Sequence, residues 1–174
     1  KKVFFKFLGL ALLATAVTLT GCNDDDDPEI PPVDPVIDNL EKGIMNGNLT
    51  EDYTLDKLAY GLTGSFIVED GVTLTIPAGT SIIADNGGTD VYIAVLMGGK
   101  IQIQGTSSNP VVMSSSTSNP GDWGGLTICG KGVTTAGENA TAEVGGFVYG
   151  GTDSGDNSGS IEYLVIRGTG AQIN

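Results

Sequence analysis

Asp153, Asp156 and Asn157 lie within one glycine-rich stretch, Asp153-Ser154-Gly155-Asp156-Asn157-Ser158-Gly159. Their oxygens are donors that a hard cation such as calcium accepts. The spacing is not that of an EF-hand loop, and the competing reading is a turn in which Asp and Asn bond their own backbone. Trp123 is the single tryptophan. With Tyr149 it offers aromatic faces for stacking on pyranose rings, and Tyr92 and Tyr163 would extend the set. The competing reading buries Trp123 at a corner, with Gly124-Gly125 allowing close backbone approach. A polysaccharide lyase needs a basic residue to remove a proton. The candidates are Lys100, Lys131 and Arg167, each beside a glycine. Paired carboxylates for glycoside hydrolysis are a further option, because their spacing in space is not legible in sequence.

Composition narrows these choices. Among 174 residues, 8 Lys and Arg stand against 21 Asp and Glu, for a net charge of −13. Such a surface repels phosphate backbones, so no nucleic-acid partner is expected, and it binds a polyuronate poorly. Histidine is absent, which removes Ser-His-Asp and Cys-His catalysis and any His-ligated metal. Two cysteines make neither a disulfide framework nor a four-thiolate zinc site. Cys129, in a β run, reads as a small buried hydrophobe. Calcium is the one cofactor the residues suggest.

The first 22 residues carry a different chemistry. Lys1, Lys2 and Lys6 precede an uncharged, apolar run that ends at Leu19-Thr20-Gly21-Cys22, the build of a secretory signal. Three threonines and four following aspartates argue against a membrane-spanning helix there. The ending resembles the bacterial lipoprotein signal. That resemblance implies cleavage between Gly21 and Cys22 and attachment of lipid, palmitate among its acyl chains, at the Cys22 sulfur. Asp24, Asp25, Asp26 and Asp27 then resemble the surface-export signal of Bacteroidetes lipoproteins; the plainer reading is a solvated spacer. The expected address is the outer membrane, lipid-anchored, with the body at the cell surface.

Four of the seven prolines fall between residues 28 and 38, which predicts an extended stalk. The division expected is residues 1–21 as signal, 22–45 as lipidated cysteine with an acidic, Pro-rich linker, and 46–174 as the folded domain. From Gly61 on, short runs of β-formers alternate with glycine-rich turns, as in Val72/Leu74/Ile76 and Ile101/Ile103. Leu55, Leu58, Ala59 and Leu62 have helical spacing, but a strand is preferred there by continuity with the β runs from Ser65 on. Gly71 to Thr80 aligns with Gly99 to Thr106 when Gly71 is set on Gly99. Repetition of this kind suits a solenoid better than a sandwich.

The segments Val72 to Thr80, Gly98-Gly99-Lys100-Ile101, Gly105 to Val111, Gly121-Asp122-Trp123-Gly124-Gly125 and Tyr149 to Asp153 resemble right-handed parallel β-helix lipoproteins of Bacteroidetes. The resemblance implies an all-β solenoid whose members are mostly of unknown function. Because relatives of this kind continue beyond Gln172-Ile173-Asn174, the solenoid is expected to be C-terminally truncated, with its last strand at an open end. The expected function is a non-catalytic binding or adhesion module for carbohydrate or a surface protein. The alternatives are a polysaccharide-active lyase or glycosidase, and a structural envelope spacer.

Overall fold

The protein's computed structural model describes residues 34–172. Chain order is α1 (Pro35–Glu41), β1 (Ile44–Leu49), β2 (Tyr53–Thr54), β3 (Ala59–Val68), β4 (Thr73–Pro77), β5 (Ser81–Ala84), β6 (Gly88–Val95) and β7 (Lys100–Gln104). Next come β8 (Val111–Ser115), β9 (Trp123–Ile128), β10 (Ala140–Thr141), β11 (Val148–Tyr149), β12 (Gly159–Glu162) and β13 (Leu164–Ile166). All strand pairs are parallel except β10 with β11.

The pairings arrange the chain in successive coils with three rows of strands. One row is β2-β4-β7-β12. The second runs through β5, β8 and β13 and starts on the first half of β3, where Ala59 to Leu62 pair with β5. The third runs through β6 and β9 and starts on the second half of β3, where Ser65 to Val68 pair with β6. β1 pairs along both halves. Every coil therefore returns each row one rung higher, which is a parallel β-helix. An all-β solenoid is what the alternating sequence requires, because residues at i and i+2 share a face and can stack on the coil below.

Inward side chains form apolar ladders. Leu74 stacks beside Ile101 and Ile76 beside Ile103, and all four are fully buried. Tyr60, Ile82 and Met113 form a second ladder, and Phe66 and Ile93 begin a third. Full burial of each Leu, Ile or Phe is worth about 1.5–3 kcal/mol, so these ladders hold the coils together. The alignment of Gly71 with Gly99 is corrected by one residue. The Gly71 amide donates to the Gly98 carbonyl, and Thr73 pairs with Lys100. The sequence alignment would set Leu74 against Gln102 and turn one strand inside out.

The linker expectation changes. Residues expected as linker up to position 45 are partly folded: Asp34 caps α1 by accepting from the Val36 amide at 2.8 Å, and Val36 and Leu40 are buried. Pro35 takes the first helical turn, where its missing N–H costs nothing, so proline there starts a helix instead of extending a stalk. Gly47, at φ +99°, faces this helix, and a Cβ on it would stand 2.9 Å from Val36 Cγ2. The helix thus covers the first coil. The helical spacing at Leu55 to Leu62 does not form a helix. Leu55 is buried, Leu58 is 73% exposed, and β3 begins at Ala59. At the other end of the described residues, β12 and β13 form the outermost rung, with Ile161 and Ile166 exposed.

Candidate functional site

The Gly121-Asp122-Trp123-Gly124-Gly125 segment builds a corner, not a platform. Trp123 is fully buried, and its indole N–H donates to the Arg167 carbonyl at 2.8 Å. Neither ring face is free, so of the two readings of Trp123 burial at a corner holds and the stacking surface does not. Asp122 gathers the preceding loop: it accepts from the Ser115 hydroxyl, from Thr117 Oγ1 at 2.6 Å and from the Asn119 amide at 2.8 Å. The hydrogen bonds from Ser115 and Thr117 hold its carboxyl below the usual aspartate range. Gly124 lies against Tyr92 and Val144, and Gly125 has φ +88°.

Between β9 and β12 the chain leaves the coil in an excursion over residues 129–158 that carries the β10–β11 hairpin. The Gly150 amide donates to the Gly130 carbonyl, and the Lys131 amide to Asp156 Oδ2 at 2.9 Å. Phe147 meets Tyr92 edge-on, with ring centroids 6.0 Å apart. Tyr149 is half-buried in the hairpin. The acidic loop closes on itself. Asp153 Oδ1 accepts from the Gly155 amide and Asn157 Oδ1 from the Gly159 amide, both at 2.8 Å. Asp156 is turned toward Lys131. These are backbone-binding turns, the alternative set against calcium. Among the described residues no three carboxylate or thiol groups gather where they could hold a metal ion.

A surface not singled out in the sequence lies on the outward side of β2-β4-β7-β12. Thr54, Thr75, Gln102 and Ser160 stand in one row. The Ser160 hydroxyl donates to Gln102 Oε1 at 2.6 Å. Thr73 and Lys100 pair in a second row, and Pro77, Gln104 and Glu162 make a third. Parallel neighbours are about 4.8 Å apart, so hydroxyls and amides repeat at that interval across the sheet. The other rows look outward with more apolar groups, Ile83 on β5 among them. The signal was present in the sequence as the polar members of the alternating runs, but only the register shows that they align.

A model of the pectate-lyase-like β-helix domain matches residues 47–174. The match takes in every strand from β2 to β13. The chain belongs to the pectate-lyase-like β-helix family. No curated protein and no solved structure matches it.

In this pectate-lyase-like β-helix the candidate bases fall in two places, Lys100 and Lys131 by the turn that enters β7 and Arg167 in another row. Lys100 is exposed on the outward face of β7. The Lys131 ammonium lies 3.6 Å from Asp70 Oδ1 and against Gly98. Arg167 follows β13 in another row, where its amide donates to the Met113 carbonyl. Cys129 is buried, and burial pushes its thiol pKa up, as expected of an inert core thiol. A corner cluster missed in sequence is Asp56, Lys57 and Tyr60. The Tyr60 hydroxyl accepts from the Asp56 and Lys57 amides and donates to Asp56 Oδ1 at 3.0 Å. It ties the turn before β3.

Proposed function

We propose that this protein is a lipid-anchored, non-catalytic binding module of the bacterial outer membrane. Its β-helix presents the outward face of β2-β4-β7-β12 to carbohydrate. The observation that carries this reading is the aligned Thr54, Thr75, Gln102 and Ser160 row, an open array of donors and acceptors of the kind that sugar hydroxyls pair with. The net charge of −13 works against holding a polyuronate, which favours binding over elimination. The test is titration of the protein with polysaccharides, followed by assay of new reducing ends. Heat of binding without new ends supports the module; new ends support the enzyme.

The anchor rests on Leu19-Thr20-Gly21-Cys22, which lies outside the described residues, as do Asp24 to Asp27. Two or more acyl chains at Cys22 make a lasting attachment, whereas one holds only marginally. Cys22→Ser is expected to abolish incorporation of labelled fatty acid and to leave an uncut precursor. Labelling of the mutant at the parent's level would refute the anchor.

A further inference from the structure

We infer that the β10–β11 hairpin is a strap, closed over the outward side of β6 and β9, that lifts as a unit while the coils stay folded. Its latch is the contact of Phe147 with Tyr92, and lifting it uncovers the Tyr92 ring. None of residues 140–149 is buried, so the hairpin adds no side chain to the core. Its hydrogen bonds are its own. Among the described residues, every hydrogen bond made by 133–149 stays within the excursion, as from the Ala142 amide to the Phe147 carbonyl at 2.8 Å. The parallel ladders join β6 to β9 and β7 to β12 without it.

Two apolar contacts hold the strap down. Phe147 meets the Tyr92 ring edge-on at 6.0 Å between centroids, and Val144 sits on Gly124, where a Cβ would stand 3.0 Å from its Cγ1. Phe147, Val144 and Tyr92 are all half-buried. Among the described aromatic residues of the coil strands, Tyr60, Phe66 and Trp123 are buried and Tyr53 shares the row of inward Leu74. Tyr92 is the one that points outward. Its neighbours on the adjacent rungs are Ser65 and Gly125, one small and one without a side chain. The strap therefore lands on the single outward aromatic of the coils, and Phe147 is what covers it.

The neck of the excursion stays with the coils. Gly150 donates to the Gly130 carbonyl at 2.8 Å, Gly151 to Gly132 at 2.9 Å and Asp153 to Lys131 at 3.1 Å. Lys131 in turn lies 3.6 Å from Asp70 in the turn before β4. Beyond this neck the chain bends into the hairpin at Asn139, φ +57°, and out of it at Gly150, φ +85°. Turning about these two residues breaks the Phe147 and Val144 contacts and leaves the hairpin's own hydrogen bonds in place. A segment with few buried apolar contacts and no ladder bonds to its neighbours opens at lower free energy than the core beneath it.

The experiment measures distances by pulsed electron spin resonance on the full chain in detergent. Spin labels are placed at Glu143→Cys on the strap and Thr63→Cys on β3, both exposed positions, in a Cys22→Ser background; Cys129 is buried. The parent is expected to show a main short distance and a minor longer one. Phe147→Ala raises the ratio of long to short about tenfold, the upper worth of one aromatic pair. Tyr92→Ala does the same, and the double variant goes no further than either single one, because both remove one contact. Val133→Ala, at an exposed site before the hairpin, leaves the ratio unchanged. The denaturant midpoint of Phe147→Ala stays at the parent's, since the coils keep their core. A single short distance in both the parent and Phe147→Ala would overturn the strap. A midpoint lowered by Phe147→Ala would also overturn it, by placing the hairpin in the cooperative unit of the coils.

Discussion

Trp123→Ala is expected to lower the stability of the β-helix by about 3–5 kcal/mol, the range for removing a buried Phe or Trp side chain. The indole is fully buried, and it is the largest buried side chain among the described residues. Its removal opens a cavity at the start of β9. It also deprives the Arg167 carbonyl of its indole donor, so a tie between β9 and the strand end after β13 is lost with the volume. Domains of this kind have only about 5–15 kcal/mol to lose, so the variant should unfold at a visibly lower denaturant midpoint. Trp123→Phe should recover much of the volume but not the hydrogen bond, and its midpoint should fall between those of parent and alanine variant. A denaturant midpoint for Trp123→Ala equal to the parent's would contradict the placement of the indole in the core.

Gly159→Ala should be comparably damaging for a different reason. Gly159 is where the chain re-enters the coil after the 129–158 excursion, and it pairs with Ile101 at φ +117°. A Cβ there would lie inside van der Waals contact of the Ile101 carbonyl oxygen and 2.7 Å from its carbonyl carbon. Both obstacles are backbone, so no side-chain rotation relieves them. β12 would have to peel away from β7, carrying with it the Ser160–Gln102 hydrogen bond and the last rung of the polar face. The expected result is loss of amide-exchange protection along β12 and at Ile101, whose amide donates to the Ser158 carbonyl, with Lys100 and β4 still protected, because stability in a solenoid is partitioned among neighbouring coils. Protection of β12 at the parent's level would contradict this register.

The parts of the fold legible in sequence are those governed by a two-residue period. Val72, Leu74, Ile76, Ile101 and Ile103 all read as inward, and all are buried. Coil register was less legible, because Gly98-Gly99 offers two glycines to match Gly71 and only one keeps Leu74 beside Ile101. The α1 cap was hidden because Pro35 is compatible with both a stalk and the first turn of a helix. β3 is ten residues long, yet Gly61 and Gly64 interrupt its apolar pattern, so only its second half stood out. For the candidate site the difficulty is one of burial. Trp123 and Tyr149 are alike in sequence as aromatics beside a glycine, and nothing local separates the one fully buried at a corner from the one half-buried in a hairpin. The polar rows are similar: Thr75, Gln102 and Ser160 become neighbours only when β12 returns to the sheet after the long excursion.

The most direct measurement of the central claim is calorimetric titration of the protein with a neutral polysaccharide and with polygalacturonate, each followed by product analysis of the same samples. The account predicts saturable heat with the neutral polymer, none with polygalacturonate, and no shortened or unsaturated sugars from either. Release of unsaturated oligosaccharides, or of new reducing ends, would contradict it and make this member of the pectate-lyase-like family an enzyme.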